Sequence, residues 1–124
     1  MDMDIKEIEV TNYTTTSTNC GIVIDKMSVI INDKCCHADI DSYFSLSYDF
    51  EYDNGNTYPI CDGIRICYFL IEKITDENNN LVSVSDEEYQ ELNKLLEKTA
   101  LNFIDDKCEE FIEEYLKIQN NNEE

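Results

Sequence analysis

The chain has 124 residues, 42% of them hydrophobic and 13 aromatic, enough to build the core of one domain. Twenty-eight Asp and Glu stand against nine Lys and Arg, a net charge of −19 that repels phosphate and excludes direct nucleic-acid binding. Disordered chains of similar acidity lack these aromatics and Ile-rich runs, and no apolar run approaches the roughly 20 residues needed to span a bilayer.

In chain order, Ile8 and Val10 alternate with charges in a short first strand, and Thr14 to Asn19 reads as a loop. Ile22 to Ile31 is rich in β-branched residues, with Asp25-Lys26 as the place for a bend or bulge. Cys35-Cys36-His37 reads as a turn. The clearest period-2 pattern follows: Ile40, Ser42, Phe44, Leu46, Tyr48, Phe50 and Tyr52 on one face, and Asp39, Asp41, Tyr43, Ser45, Ser47, Asp49, Glu51 and Asp53 on the other. That alternation predicts a strand with one packed and one wet face. Asp53-Asn54-Gly55-Asn56 is a hairpin turn signal, since Asn and Gly tolerate positive φ.

Pro59 and Gly63 make the returning segment irregular, and Ile64 to Ile74 is apolar on both faces, which predicts a central strand covered by helix. A turn at Asp76 to Asn80 leads to a short strand at Leu81 to Val84. Ser85-Asp86-Glu87-Glu88 has the S-x-x-E pattern of a capping box. Tyr89, Leu92, Leu96, Ala100, Phe103, Cys108, Phe111, Ile112 and Tyr115 follow at helical spacing, in one helix or in two broken near Asp105-Asp106. The expectation is a single α+β domain over 1–124. Residues 1–84 form four or five antiparallel strands, 85–118 a helix packed on one face, and 119–124 a disordered tail.

Met1-Asp2-Met3-Asp4 is acidic where an export signal is positive, so the expected compartment is a reducing cytoplasm. There the six cysteines are thiols and the Asn12-Tyr13-Thr14 sequon is silent. Thirteen Asn, 15 Ile and eight Lys against one Arg suit the AT-rich codons of a low-GC bacterium, its phages or its plasmids.

Catalytic chemistry fits poorly. With one His, three Gly and no G-x-S-x-G, P-loop or Rossmann glycines, no catalytic residue is assigned. Cys35-Cys36-His37 and Cys61-x5-Cys67 supply zinc-ligand types without a C-x2–4-C knuckle. Along one strand Cys61 and Cys67 stand about 20 Å apart, so no metal and no cofactor is expected. Cys67 and Cys108 fall in apolar periodicity and read as small buried hydrophobes.

Charge carries the functional reading. From Cys35 to Ile64 there are six acids and no base, and five lie on the wet face of the alternating strand. The last 39 residues hold 13 acids and four Lys, with Glu109-Glu110 and Glu113-Glu114 repeating at i, i+4, where like charges oppose the helix. The candidate partner-binding residues are Asp39, Asp41, Tyr43, Asp49, Glu51, Asp53, Glu109, Glu110, Glu113 and Glu114, with Tyr13, Tyr52 and Tyr58 flanking turns. The expected function is inhibition of a basic, nucleic-acid-binding host-defence protein, of the anti-CRISPR or anti-restriction kind, by carboxylates imitating phosphates. Two alternatives share the composition: an immunity protein or antitoxin against a basic nuclease toxin, and an assembly protein whose acidic coat only solubilises it.

Overall fold

In the computed structural model, which describes residues 3–122, four strands and one helix follow one another: β1 (Ile5–Thr15), β2 (Gly21–Ile31), β3 (Lys34–Asp53), β4 (Asn56–Asp76) and α1 (Asp86–Asn122). The strands form an antiparallel meander in the order β1-β2-β3-β4, giving the expected α+β architecture. Two hairpin loops have two residues each with positive φ: Asn32 and Asp33 (50° and 66°), and Asn54 and Gly55 (51° and 84°). Positive φ at both central positions is the geometry whose twist matches antiparallel strands.

The strands are longer than the sequence suggests. β1 reaches Thr15, and β3 starts at Lys34, so Cys35, Cys36 and His37 lie in a strand rather than a turn. Leu81 to Val84 is no strand. Leu81 makes an isolated bridge to Thr75, and the Val82 N–H donates to the Ile74 carbonyl at 2.9 Å.

The largest departure is β4, an edge strand rather than a central one. β3 from Cys36 onward runs alongside the whole of β4, and the register slips three times. Each slip leaves one extra residue on β4: Asp62, Cys67 and Glu72, five apart. Inward positions therefore recur at steps of two and three: Cys61, Ile64, Ile66, Phe69, Ile71, Ile74. Tyr68 and Leu70, 51% and 52% exposed, face out. A run of Ile at mixed spacing is thus a bulged one-sided strand, not a two-sided one. Bulges bend and twist the strand that carries them, and here all three lie on an edge strand that contacts α1.

Against β1, Asp25 is an extra residue on β2, between the Asn12–Lys26 and Tyr13–Ile24 pairs and at the expected Asp25-Lys26 site, and the β2–β3 pairing is interrupted over the same stretch, from Ile22 to Lys26. Buried Ser42 repairs the ladder there. Its hydroxyl donates to the Ile24 carbonyl at 2.7 Å and accepts the Ile24 N–H at 3.1 Å. Ile24 and Met27, three apart, both stay fully buried.

α1 is continuous through Asp105-Asp106 and packs on one face of the sheet. Leu92, Leu96, Ala100, Ile104 and Ile112 are fully buried, and Cys108 and Phe111 nearly so. They face Ile22, Ile24, Ile40 and Phe44 in one core. The capping box forms as read: the Glu88 N–H donates to Ser85 Oγ at 3.2 Å, and the Ser85 N–H to Glu88 Oε1 at 2.9 Å. At one edge, Tyr13 packs edge-on against Phe103 and Phe111, with ring centroids 5.2 and 5.6 Å away. At the other, Ile71 of β4 receives the Tyr89 hydroxyl on its carbonyl (2.9 Å) and gives its N–H to Asn93 Oδ1 (3.3 Å). The helix extends to Asn122; Glu123 and Glu124 of the expected tail lie outside the described residues, as do Met1 and Asp2. No helix among the described residues is long and apolar enough to cross a membrane.

Candidate protein-binding surface

Pairing decides what stands beside each acid on the face turned away from α1. Asp39 faces Lys26 on β2 and Lys73 on β4, and the Lys73 ammonium lies 3.6 Å from its carboxylate. Asp41 stands opposite Leu70, and Tyr43 stacks on Tyr68 at 6.4 Å between centroids. The Tyr43 hydroxyl donates to the Thr18 carbonyl at 3.2 Å, and Arg65 sits across from Ser45. The middle of this face therefore mixes Lys26, Arg65 and Lys73 with two of the candidate acids. β3 alone carries no Lys or Arg after Lys34, but its neighbours supply them.

Beyond Ser45 the surroundings change. β2 ends its pairing with β3 at Gly21–Ser45, and the Leu46 N–H makes one more bond, to the Cys20 carbonyl at 3.1 Å. From Ser47 to Gly63 the β3–β4 hairpin runs on as a two-stranded arm. It holds four acids, Asp49, Glu51, Asp53 and Asp62, and no Lys or Arg. All four are exposed. Phe50 and Tyr52, on the face the alternation marks as packed, are 50% and 76% exposed, because neither β2 nor the core of the sheet reaches them. Tyr48 anchors the root, with centroids 6.3 Å from Tyr115 on α1 and 5.8 Å from Phe50.

Hydrogen bonds hold the arm's polar side chains. The Tyr58 hydroxyl donates to Glu51 Oε2 at 3.0 Å, and Asp49 Oδ1 accepts the Phe50 N–H at 2.8 Å. The bond to the Glu51 carboxylate raises the Tyr58 phenol above its ordinary value, and the Glu109 carboxylate adds to that rise. Glu109 thus acts on the arm, and the Tyr48–Tyr115 contact brings this end of α1 to the arm's root. Glu109, Glu110, Glu113 and Glu114 are all exposed beside it.

Cys20, Cys61 and Cys108 lie near one another where β3 and β4 leave the body, while Cys35, Cys36 and Cys67 stand elsewhere on the sheet. Cys20, Cys36 and Cys108 are buried, and burial pushes the Cys20 and Cys108 thiols up to about 11. Cys67, expected among the apolar positions, is exposed because it is the bulged residue. Among the described residues no three His, Cys, Asp or Glu side chains are arranged to hold a metal ion.

Sequence reasoning passed over Phe50 and Asp62 as interface residues, and noted Tyr52 only as one of the tyrosines flanking turns. The available signal was strand length: β3 has 20 residues between two Asn-containing turns, whereas β2 has 11, so the excess has no neighbour on one side. No protein-family model matches the chain, and neither a curated protein nor a solved structure matches it.

Proposed function

We propose that this protein is a non-catalytic inhibitor that binds a basic, nucleic-acid-binding protein through the β3–β4 arm and the adjoining helix carboxylates. The observation that carries the reading is the arm itself, which has four acids, no base, and Phe50, Tyr52 and Tyr58 open to solvent. An isolated two-stranded hairpin is marginal in water. Exposed aromatics on such an arm gain burial only when a partner covers them, and aromatic residues are enriched in the cores of protein interfaces.

Asp49, Glu51 and Asp53 project from one face at intervals of about 6.6–6.8 Å, of the same order as charge spacing along a nucleic-acid strand. In a basic groove they take the places of phosphates, while the aromatic rings bury on the groove wall. The −19 charge draws the two proteins together and speeds encounter. Occupancy then excludes nucleic acid by competition. Such an inhibitor, encoded by a phage or mobile element and working in the host cytoplasm against a defence nuclease, suits the composition.

Competition tests this. Protein pulled from host lysate with its partner should be displaced by excess DNA or RNA, and the complex should weaken steeply as salt rises. Simultaneous binding of nucleic acid and this protein to the partner would refute the mimicry.

A further inference from the structure

The sheet register builds one site whose charge runs against the rest of the molecule. In one row across four strands stand Asn12, Lys26, Asp39 and Lys73, and in the next row His37 pairs with Ser28 and Thr75. Asn12, Lys26, His37, Asp39, Lys73 and Thr75, with Asn79 from the turn after β4, line a polar basin of about 590 Å³. It gathers two of the nine basic side chains and the single His around one carboxylate. Lys73 is tied to Asp39 at 3.6 Å, while Lys26 makes no ion pair among the described residues. Counting only the residues that line it, the basin carries +1 with a neutral imidazole, in a chain of −19.

Other acids stand nearby, among them exposed Glu72 next to Lys73 and Glu77 in the turn that carries Asn79. Asp25 of β2 accepts the Asn12 amide at 2.9 Å, Glu9 of β1 stands across from Ser28, and Asp41 points from β3 beside Leu70. Asp76 is occupied by the N–H groups of Asn78 and Asn80, at 2.9 and 3.0 Å. Strands lie about 4.8 Å apart, so Lys26 and Lys73 rise roughly 9.6 Å from each other with Asp39 between them. Two ammoniums at that separation clamp a tetrahedral anion. Lysine binds phosphate as a point charge, whereas a planar carboxylate is better matched by the arginine fork absent here.

We propose that this basin binds the phosphate group of a small phosphorylated ligand. Lys26 and Lys73 hold the oxygens, the His37 imidazole and the Asn12 and Asn79 amides donate from the rim, and Asp39 is the competitor that the ligand displaces from Lys73. A nucleic-acid strand carries the same group, but the −19 field opposes a polyanion far more than a single phosphate.

His37 is the only histidine, so its imidazole gives one unambiguous NMR signal. Inorganic phosphate titrated at fixed pH and ionic strength, with chloride as the replaced anion, should shift that signal along a saturating curve. Lys26→Ser or Lys73→Ser should weaken binding about fivefold or more, and Asp39→Asn should tighten it about twofold or more. A short single-stranded oligonucleotide at the same phosphate concentration should give no saturating shift. No saturable shift with phosphate, or one unchanged by either lysine variant, overturns the site; an equal response to the oligonucleotide overturns its restriction to small ligands.

Discussion

The β3–β4 hairpin is one continuous pair of strands, yet its two halves live in different physical settings. From Cys36 to Leu46, alternate β3 residues are sealed beneath α1, and the opposite face meets Lys26, Arg65 and Lys73 on neighbouring strands. From Ser47 to Gly63 the alternation persists, but β2 has stopped, the inner residues are open, and no base balances the acids. Alternation fixes which way a side chain points; only the neighbouring strand and helix decide whether it is buried or its charge is offset.

The largest expected contrast follows from that difference. Phe44→Ala, at a position with no exposure, should cost about 3–5 kcal/mol, whereas Phe50→Ala, half exposed, should cost about 1 kcal/mol. Chemical denaturation of both variants measures the gap, and equal losses would mean the arm is as well packed as the body. Next in size, Cys108→Ser places a hydroxyl in the helix core and should cost about 1–3 kcal/mol, while Cys67→Ser on the exposed bulge should stay within about 0.5 kcal/mol.

Ser85→Ala removes one half of the capping box and should cost about 1 kcal/mol, visible as a lower thermal midpoint. The smallest effect is in pH. Backbone hydrogen bonds hold the Asp76 and Glu88 carboxyls below their ordinary values of 3.8 and 4.5. Each group's contribution is therefore fully present above its ordinary value and is lost as pH falls through the lowered one. Amide exchange at Asn78, Asn80 and Ser85, whose N–H groups donate to these carboxylates, should accelerate as pH falls below the ordinary values of 3.8 and 4.5, after correction for intrinsic rates.

Much of the fold was legible because its signals are local. Asn54-Gly55 set the second hairpin, Ser85 to Glu88 set the helix start, and Phe44 and Leu46 against Tyr43 and Ser45 set the faces of β3. What was not legible depends on pairing. The Ile64 to Ile74 run looked two-sided because Asp62, Cys67 and Glu72 each shift the alternation by one, and a period-2 template cannot register three slips. Ile104, fully buried, fills the helix stripe between Ala100 and Cys108 and was missed beside the expected break at Asp105. The candidate surface was half legible: the acids point outward as read, but Lys26 and Lys73 reach Asp39 only through a register the sequence does not display.

The central claim, that the arm and not the middle of the sheet meets the partner, rests most directly on one kinetic comparison. Association with the partner recovered from host lysate is measured for two charge-neutralised variants. In the arm variant Asp49, Glu51, Asp53 and Asp62 become Asn or Gln; in the body variant Asp39 and Asp41 become Asn. The arm variant should associate about tenfold more slowly or worse, while the body variant stays within about twofold of the parent. A body variant slowed as much as the arm variant, or an arm variant that binds at the parental rate, would contradict the account.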